Sequence, residues 1–138
     1  MMHATDVRIL IGVDEWLAEM MKMFLERAGF RNIQLRPDDD REFFAKYRAG
    51  DYELFVAQPS SRPADMLYGL QWLSEVRKRD RQARFLVVSG SDEVFLERSI
   101  RQERLDLGNY TYLKLPFELN ALLPAINCAL GNHNESVA

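Results

Sequence analysis

The chain has 138 residues, of which 47% are hydrophobic and 28% are charged. These values are typical of one globular domain and exclude a disordered or fibrous protein. The 18 basic and 21 acidic residues are interspersed and give a net charge of −3, which argues against direct contact with nucleic acid. A single cysteine, Cys128, excludes an internal disulfide. Since no apolar run reaches the roughly 18 residues of a membrane span and no export signal is visible, we expect a cytoplasmic protein.

The first predicted strand, residues 7–13, is almost continuously apolar, as a strand buried on both faces should be. A helix follows, because apolar residues recur at three- and four-residue spacing until Gly29, a helix stop signal. This spacing places Met20 and Met21 in the core and Met23 outside. The apolar positions are Leu17, Met20, Met21, Phe24, Leu25 and Ala28.

Residues 32–36 form a short second predicted strand. Pro37 and the aspartates at 38–40 make a turn that is predicted to cap a helix ending at Gly50. The apolar face of this helix consists of Phe43, Phe44 and Tyr47. We favour capping over calcium binding, because the aspartates lack the alternating oxygens, central glycine and distal glutamate of a calcium loop. Residues 52–57 form the third predicted strand.

Two prolines and two serines make residues 58–63 a loop. The helix predicted at residues 66–78 carries Trp72 on its flank. Its buried positions are Leu67, Leu70, Leu73 and Val76. The basic stretch at 77–81 lies where this helix ends, and we expect it to stay solvated and to complement the helix dipole.

Residues 85–88 form the fourth predicted strand, and Ser91 is the predicted N-cap of a long helix that Gly108 closes. The apolar positions of this helix include Val94, Phe95 and Ile100. Residues 110–115 form the fifth strand. The last predicted helix, residues 118–130, is expected to turn Leu119, Leu122, Leu123 and Ile126 inward.

Five strands thus alternate with five helices, which predicts an α/β fold with a (βα)5 doubly wound, parallel five-stranded sheet. We assign residues 1–130 to one domain and residues 131–138 to a polar tail or linker remnant. In such a sheet, ligands and chemistry lie at the carboxyl ends of the strands. Function is therefore expected at residues 13–15, 57–59, 89–91 and 113–116.

Four motifs in order resemble the receiver domains of bacterial two-component signalling. RILI at 8–11, followed by acids, resembles the family's first strand and acidic pair, and DYELFVA at 51–57 is similar to the strand before the phosphoryl-accepting aspartate. VVSG at 87–90 resembles the hydroxyl-bearing switch strand, and YLKLPF at 112–117 resembles the family's ending of tyrosine, two apolar residues, lysine, proline and phenylalanine. The resemblance implies the flavodoxin-like receiver fold.

The family's chemistry requires carboxylates that hold magnesium, a nucleophilic aspartate, a hydroxyl and a lysine. By this resemblance Gln58 stands at the aspartate position, and a neutral amide cannot form an acyl phosphate. Leu115 stands at the lysine position, whereas Lys114, one residue earlier, belongs to the other face of the strand. Ser89 retains the hydroxyl.

Three alignments of the acidic pair are open. The first, which we favour, places Val13 and Asp14 at the pair. The second places Gly12 and Val13 there, and the third places Asp14 and Glu15 there. The favoured alignment leaves one acid. We therefore expect no cofactor, with magnesium binding possible at Asp14 and Glu15 if the acidic pocket is retained.

The sequence thus predicts a non-enzymatic pseudo-receiver that acts through protein contact, with the pocket bounded by Asp14, Gln58 and Ser89 filled by side chains. The resemblance implies a histidine kinase, an output domain, another signalling protein or a second copy of the chain as partner. The partner face implied by the resemblance consists of Tyr112, Phe95 and Lys114.

Two alternatives stay open. One is an unconventional receiver that accepts a phosphoryl group in a phosphorelay through Asp14, Glu15 or Asp65. The other is a small-ligand binder with flavodoxin-like architecture.

Overall fold

The computed structural model describes residues 3–37, 39–59 and 68–131. Within these ranges the strands are β1 (Arg8–Gly12), β2 (Asn32–Leu35), β3 (Leu54–Ala57), β4 (Arg84–Ser89) and β5 (Tyr110–Lys114). The α-helices are α1 (Glu15–Arg27), α2 (Asp40–Lys46), α3 (Tyr68–Arg79), α4 (Glu93–Gln102) and α5 (Leu119–Ala129). The alternation of strands and helices that the sequence predicts is confirmed.

The five strands form one parallel sheet in the order β2-β1-β3-β4-β5. Successive side chains of a strand point to opposite faces of the sheet. In β1, Ile9 and Ile11 therefore pack in one core, and Leu10 packs in the other. The first core contains α1 and α5, and the second contains residues of α2, α3 and α4. Helices therefore cover both faces, which confirms the doubly wound (βα)5 fold.

The two cores differ in composition. The core under α1 and α5 is mainly aliphatic, whereas the core under α2 to α4 contains a chain of aromatic contacts. Phe55 lies at its centre, with ring centroids 5.9 Å from Trp72 and 6.0 Å from Phe85. The predicted flank position of Trp72 is wrong, because this side chain is buried between the sheet and Phe43. We call the core under α1 and α5 the aliphatic core and the core under α2 to α4 the aromatic core.

Helix α1 and the start of α2 follow their sequence signals. Met21 is fully buried, whereas Met23 is 54% exposed, as the spacing predicts. The chain leaves α1 through Gly29, whose φ of 105° favours glycine. Asp39 caps α2 by accepting a hydrogen bond from the Arg41 N–H at 2.9 Å, which confirms the capping interpretation; residue 38 lies outside the described ranges. However, α2 ends at Lys46, before the predicted stop at Gly50.

The predicted start and end of α4 are wrong. Asp92, not Ser91, is the N-cap, because contacts with β4 and β5 hold the backbone of Ser91 outside the helix. The helix ends at Gln102, since the chain turns at Arg104, whose φ is 54°. Gly108 lies beyond this turn. Leu96 is the buried apolar residue of α4.

Two further burial predictions are wrong. Leu119 is 43% exposed, because the first turn of α5 lies near the carboxyl ends of the strands and Leu122 is the first buried residue of this helix. Arg77 and Asp80, expected in solvent, are buried at the end of α3. Asp80 accepts hydrogen bonds from Tyr47 Oη at 3.2 Å and from the Gly50 N–H at 3.0 Å. No helix in the described ranges is long and apolar enough to cross a membrane.

Candidate functional site

The carboxyl ends of four strands bring the predicted site residues to one edge of the sheet. Gly12 of β1 is paired with Ala57 of β3, and Ala57 is paired with Val87 of β4. Ser89 is paired with Lys114 of β5. The predicted positions around Asp14, Gln58, Ser89 and Lys114 therefore lie along a single edge, which we call the carboxyl edge.

Gln58 follows β3 directly and is 9% exposed. Its side-chain Oε1 accepts a hydrogen bond from the Asp14 N–H at 2.9 Å, and its own N–H donates to the Gly12 carbonyl at 3.3 Å. A buried amide oxygen needs such a donor. Gln58 therefore connects the end of β3 to the start of α1 through neutral hydrogen bonds.

The start of α3 packs directly on Gln58 and Pro59. The Gly69 N–H donates to the Pro59 carbonyl at 3.1 Å. A Cβ atom on Gly69 would lie 2.8 Å from the Gln58 carbonyl carbon, so this close approach requires glycine. Residues 60–67, and with them Asp65 as an alternative phosphoryl acceptor, lie outside the described residues.

The acids that follow β1 sit at the start of α1. Asp14 is the N-cap residue and its side chain makes no capping hydrogen bond, while Glu15 is exposed in the first turn. Val13 packs against the aliphatic core and supplies no oxygen ligand. Within the described part of the chain, no group of three or more His, Cys, Asp or Glu residues could hold a metal ion.

These residues do not fit the magnesium site that the resemblance implies. Such a site needs carboxylate oxygens in near-octahedral geometry. Val13 is apolar, and the Gln58 amide oxygen accepts from the Asp14 N–H. Asp14 is thus the single carboxylate in the favoured alignment.

Ser89 is 5% exposed, and its hydroxyl is occupied locally. The Ser89 Oγ accepts a hydrogen bond from the Ser91 N–H at 3.0 Å, while the Ser89 carbonyl accepts from the Leu115 N–H at 2.8 Å. The hydroxyl therefore stabilises the start of the loop that leads to α4.

Tyr112 and Lys114 hold the same loop from β5. Tyr112 Oη donates a hydrogen bond to the Ser91 carbonyl, and Lys114 Nζ lies 2.7 Å from Asp92 Oδ1. This hydrogen bond raises the pKa of Lys114 and lowers the pKa of Asp92. Leu115, one residue later, packs against the aliphatic core. Lys114 is thus engaged at the N-terminus of α4.

Sequence reasoning missed Arg36, which lies beside Gly12 at the end of β2. The Arg36 guanidinium stacks 4.7 Å from the ring centroid of Tyr68 and 5.0 Å from that of Trp72. A Cβ atom on Gly12 would lie 3.2 Å from both Arg36 and Trp72. The signal in the sequence is Gly12 itself, since a glycine inside a strand often marks the close approach of another group.

Known proteins resemble this chain in structure and not in sequence. Neither a protein-family model nor a curated protein sequence matches the chain. Among solved structures, a CheY-like response regulator receiver domain from Methanospirillum hungatei is 21% identical with a TM-score of 0.68, covering 94% of this chain and 98% of that chain.

A two-component response regulator from Clostridium difficile is also 21% identical with a TM-score of 0.68, covering 93% and 98% of the two chains. A response regulator from Thermotoga maritima is 18% identical with a TM-score of 0.66, covering 91% and 98%. At these identities the likeness shows the fold, and the chain has the fold of CheY-like receiver domains.

Proposed function

We propose that this protein is a pseudo-receiver of two-component signalling, which acts through protein contact without being phosphorylated. The observation that carries the proposal is the place of Gln58 at the end of β3, with its amide oxygen on the Asp14 N–H. Phosphoryl transfer to a receiver needs a carboxylate nucleophile, and an amide nitrogen or oxygen cannot replace it.

The surrounding residues support the same proposal. Leu115 packs into the aliphatic core where the resemblance places a lysine, and Val13 does so where it places an acid. A phosphoryl group at this edge would lack both the metal ligands and the ammonium that stabilise its charge. The losses therefore concern the nucleophile, one acid of the pair and the lysine, not one residue.

The contact surface that we propose is the α4–β5 surface, formed by Val94, Phe95, Tyr112 and Lys114. Val94 is 67% exposed and Phe95 is 50% exposed, and they follow one another on α4. On β5, Lys114 is exposed and contacts Asp92 at the start of α4, while Tyr112 is partly buried. Adjacent exposed apolar side chains with a charged rim are typical of protein interaction sites. The partner would be a histidine kinase, an output domain, another signalling protein or a second copy of the chain.

The first experiment tests the chemistry. The protein is incubated with acetyl phosphate and magnesium, and its intact mass is measured. We expect no mass gain of one phosphoryl group in the natural chain or in Gln58→Asp, because the acid at 13 and the lysine at 115 are still missing. The triple variant Val13→Asp, Gln58→Asp, Leu115→Lys is the matched positive control, in which we expect the gain.

Phosphorylation of the natural chain would contradict the proposal. Peptide mapping would then identify the acceptor. A modified Asp14, Glu15 or Asp65 would instead support an unconventional receiver within a phosphorelay.

The second experiment tests the surface. Val94→Ser with Phe95→Ser removes the two exposed apolar side chains without touching the buried Leu96. We expect this variant to lose self-association in sedimentation measurements, or cross-linking to a signalling partner, while it keeps the stability of the natural chain. Met23→Ser, an equally exposed apolar position on α1, is the matched control. Equal loss in both variants would contradict the assignment of the surface.

A further inference from the structure

A cavity lies at the edge of the sheet where the strands begin, which we call the amino edge, opposite the candidate site. It has a volume of about 520 Å³ and lies between the first residues of β4 and β5 and the last turns of α3 and α5. This volume falls in the range of about 300–1,000 Å³ that is typical of small-molecule sites. The proposed function makes no use of this cavity.

The charge of the cavity is one-sided. Arg77, Arg81 and Arg84 line it, and none of its described lining residues is acidic, although the chain as a whole has a net charge of −3. Arg81 forms an ion pair at 2.9 Å with Asp106, which is not part of the lining. Within the described part of the chain, Arg84 makes no ion pair. Although Asp106 partly compensates Arg81, the described lining carries three cations and no acid, which favours a ligand with negative charge.

Arg77 lies at the back of the cavity and is 6% exposed. Its guanidinium donates to the carbonyls of Arg81 at 2.7 Å and Leu107 at 3.0 Å, and it stacks 4.5 Å from the ring centroid of Phe85. Its Nε makes no hydrogen bond to the described residues. Burial lowers the pKa of this guanidinium. The charges of Asp106 and Asp80 favour the charged form, but no described carboxylate forms an ion pair with Arg77. An anion in the adjoining cavity would therefore stabilise this buried cation further.

The remaining lining supplies both hydrogen-bonding and apolar groups. Asn109 and Thr111 carry polar side chains at the start of β5, while Ala83 and Ala129 contribute apolar surface. The cavity surface is more polar than apolar, which suits a charged ligand better than an apolar one.

We propose that this cavity binds a small molecule through an oxyanion, either a phosphate monoester or a carboxylate. Arg84 contacts the oxyanion together with the N–H groups of Arg81 that do not bind Asp106, since guanidinium groups match the geometry of an oxyanion in paired hydrogen bonds. Arg77 is fixed behind them and adds positive charge. Asn109 and Thr111 orient the rest of the ligand.

The test titrates the full chain separately with inorganic phosphate and with citrate, at constant ionic strength, and follows the backbone amide resonances by NMR. We expect saturable shifts at Arg84, Asn109 and Thr111 with at least one of the two probes. Arg84→Gln should weaken that binding by about tenfold, the effect of losing one charge-assisted hydrogen bond. Arg98→Gln on α4, which removes an exposed arginine that does not line the cavity, should leave the binding unchanged.

Each outcome decides the proposal. Saturation by phosphate alone assigns a phosphate ester, and saturation by citrate alone assigns a carboxylate. Saturation by both supports the oxyanion as the shared feature. Shifts that never saturate, or that weaken equally in Arg84→Gln and Arg98→Gln, would overturn it. Because Arg84 is exposed, the variant keeps the fold, and neither variant touches the carboxyl edge.

Discussion

The two edges of the sheet hold their buried polar groups in different ways. At the carboxyl edge, Gln58 and Ser89 form neutral hydrogen bonds with the backbone at 14 and 91. At the amino edge, the buried groups are charged: Asp80 accepts three hydrogen bonds, and Arg77 donates two. The carboxyl edge is where receiver chemistry would need buried charge. Its buried groups are neutral, as the proposed pseudo-receiver requires, and the two edges should respond differently to mutation and pH.

The largest expected effect is at the carboxyl edge. In Gly69→Ala the new methyl group would overlap the Gln58 carbonyl, which is main chain and cannot move aside as a side chain can. We expect the free energy of unfolding to fall by about 3 kcal/mol, more than alanine gains from its better helix propensity. Urea denaturation measures this change. Gly90→Ala is the matched control, because a Cβ atom there meets nothing within 4 Å. Similar stability of the two variants would show that the contact between α3 and Gln58 is loose.

The amino edge should be nearly as sensitive to the loss of one buried charge. Asp80→Asn keeps the shape of the side chain but places an NH₂ group where one carboxylate oxygen accepts from Tyr47, Gly50 or Gln82. We expect destabilisation by about 2 kcal/mol, since a buried donor is left without an acceptor. Thermal unfolding at neutral pH measures it. Asp51→Asn, at a position that is less deeply buried and bonds to the Arg48 N–H, should cost much less.

The same cluster predicts alkaline instability. Burial, with the charge and hydrogen bond of Asp80, raises the pKa of Tyr47 far above that of a free tyrosine. The folded protein therefore keeps this proton when the unfolded chain, with a pKa of about 10, loses it. The free energy of unfolding that this proton contributes is fully present below pH about 10. It falls above that pH, by about 1.4 kcal/mol at pH about 11. Unfolding measured against pH should show a shallower decline in Tyr47→Phe, and equal declines would contradict the burial of this hydroxyl.

Gln58 itself should contribute less. Gln58→Leu removes the acceptor of the Asp14 N–H, although this donor at the start of α1 can turn to water. We expect a loss of about 1 kcal/mol in urea denaturation. Gln58→Glu restores an acceptor and should be less destabilising near neutral pH. If Gln58→Leu does not fold at all, Gln58 contributes more to stability than one neutral hydrogen bond can explain, which would contradict this prediction.

Much of the fold could be predicted because its signals are local. Apolar runs marked the strands, and three- and four-residue spacing separated Met21 from Met23 on α1. The short turn before α2 contained its own cap, Asp39. Where a boundary depends on a distant strand, local signals fail: Ser91 is excluded from α4 by its contacts with Ser89 and Tyr112.

The site could be predicted in position but not in bonding. The motif order placed Gln58 at the end of β3, yet its partner at Asp14 follows from the pairing of Gly12 with Ala57. The burial of Arg77 likewise depends on the loop at Leu107, which is 30 residues away in the sequence. A charge at the end of a helix is usually solvated, and the sequence alone does not reveal such a distant cover.

The smallest effect should come from the exposed ion pair at the carboxyl edge. Lys114→Gln breaks the contact with Asp92, but both side chains are exposed and the charges are screened by water and salt. We expect no measurable change in the unfolding midpoint at physiological ionic strength, whereas Tyr112→Phe, which removes a partly buried hydrogen bond to Ser91, should lower it. If Lys114→Gln lowered the unfolding midpoint as much as Tyr112→Phe, the ion pair between Lys114 and Asp92 would contribute to the stability of the carboxyl edge. If the unfolding midpoint of Lys114→Gln is unchanged, Lys114 can exchange Asp92 for an acidic group on a partner at little cost, as the proposed α4–β5 surface requires.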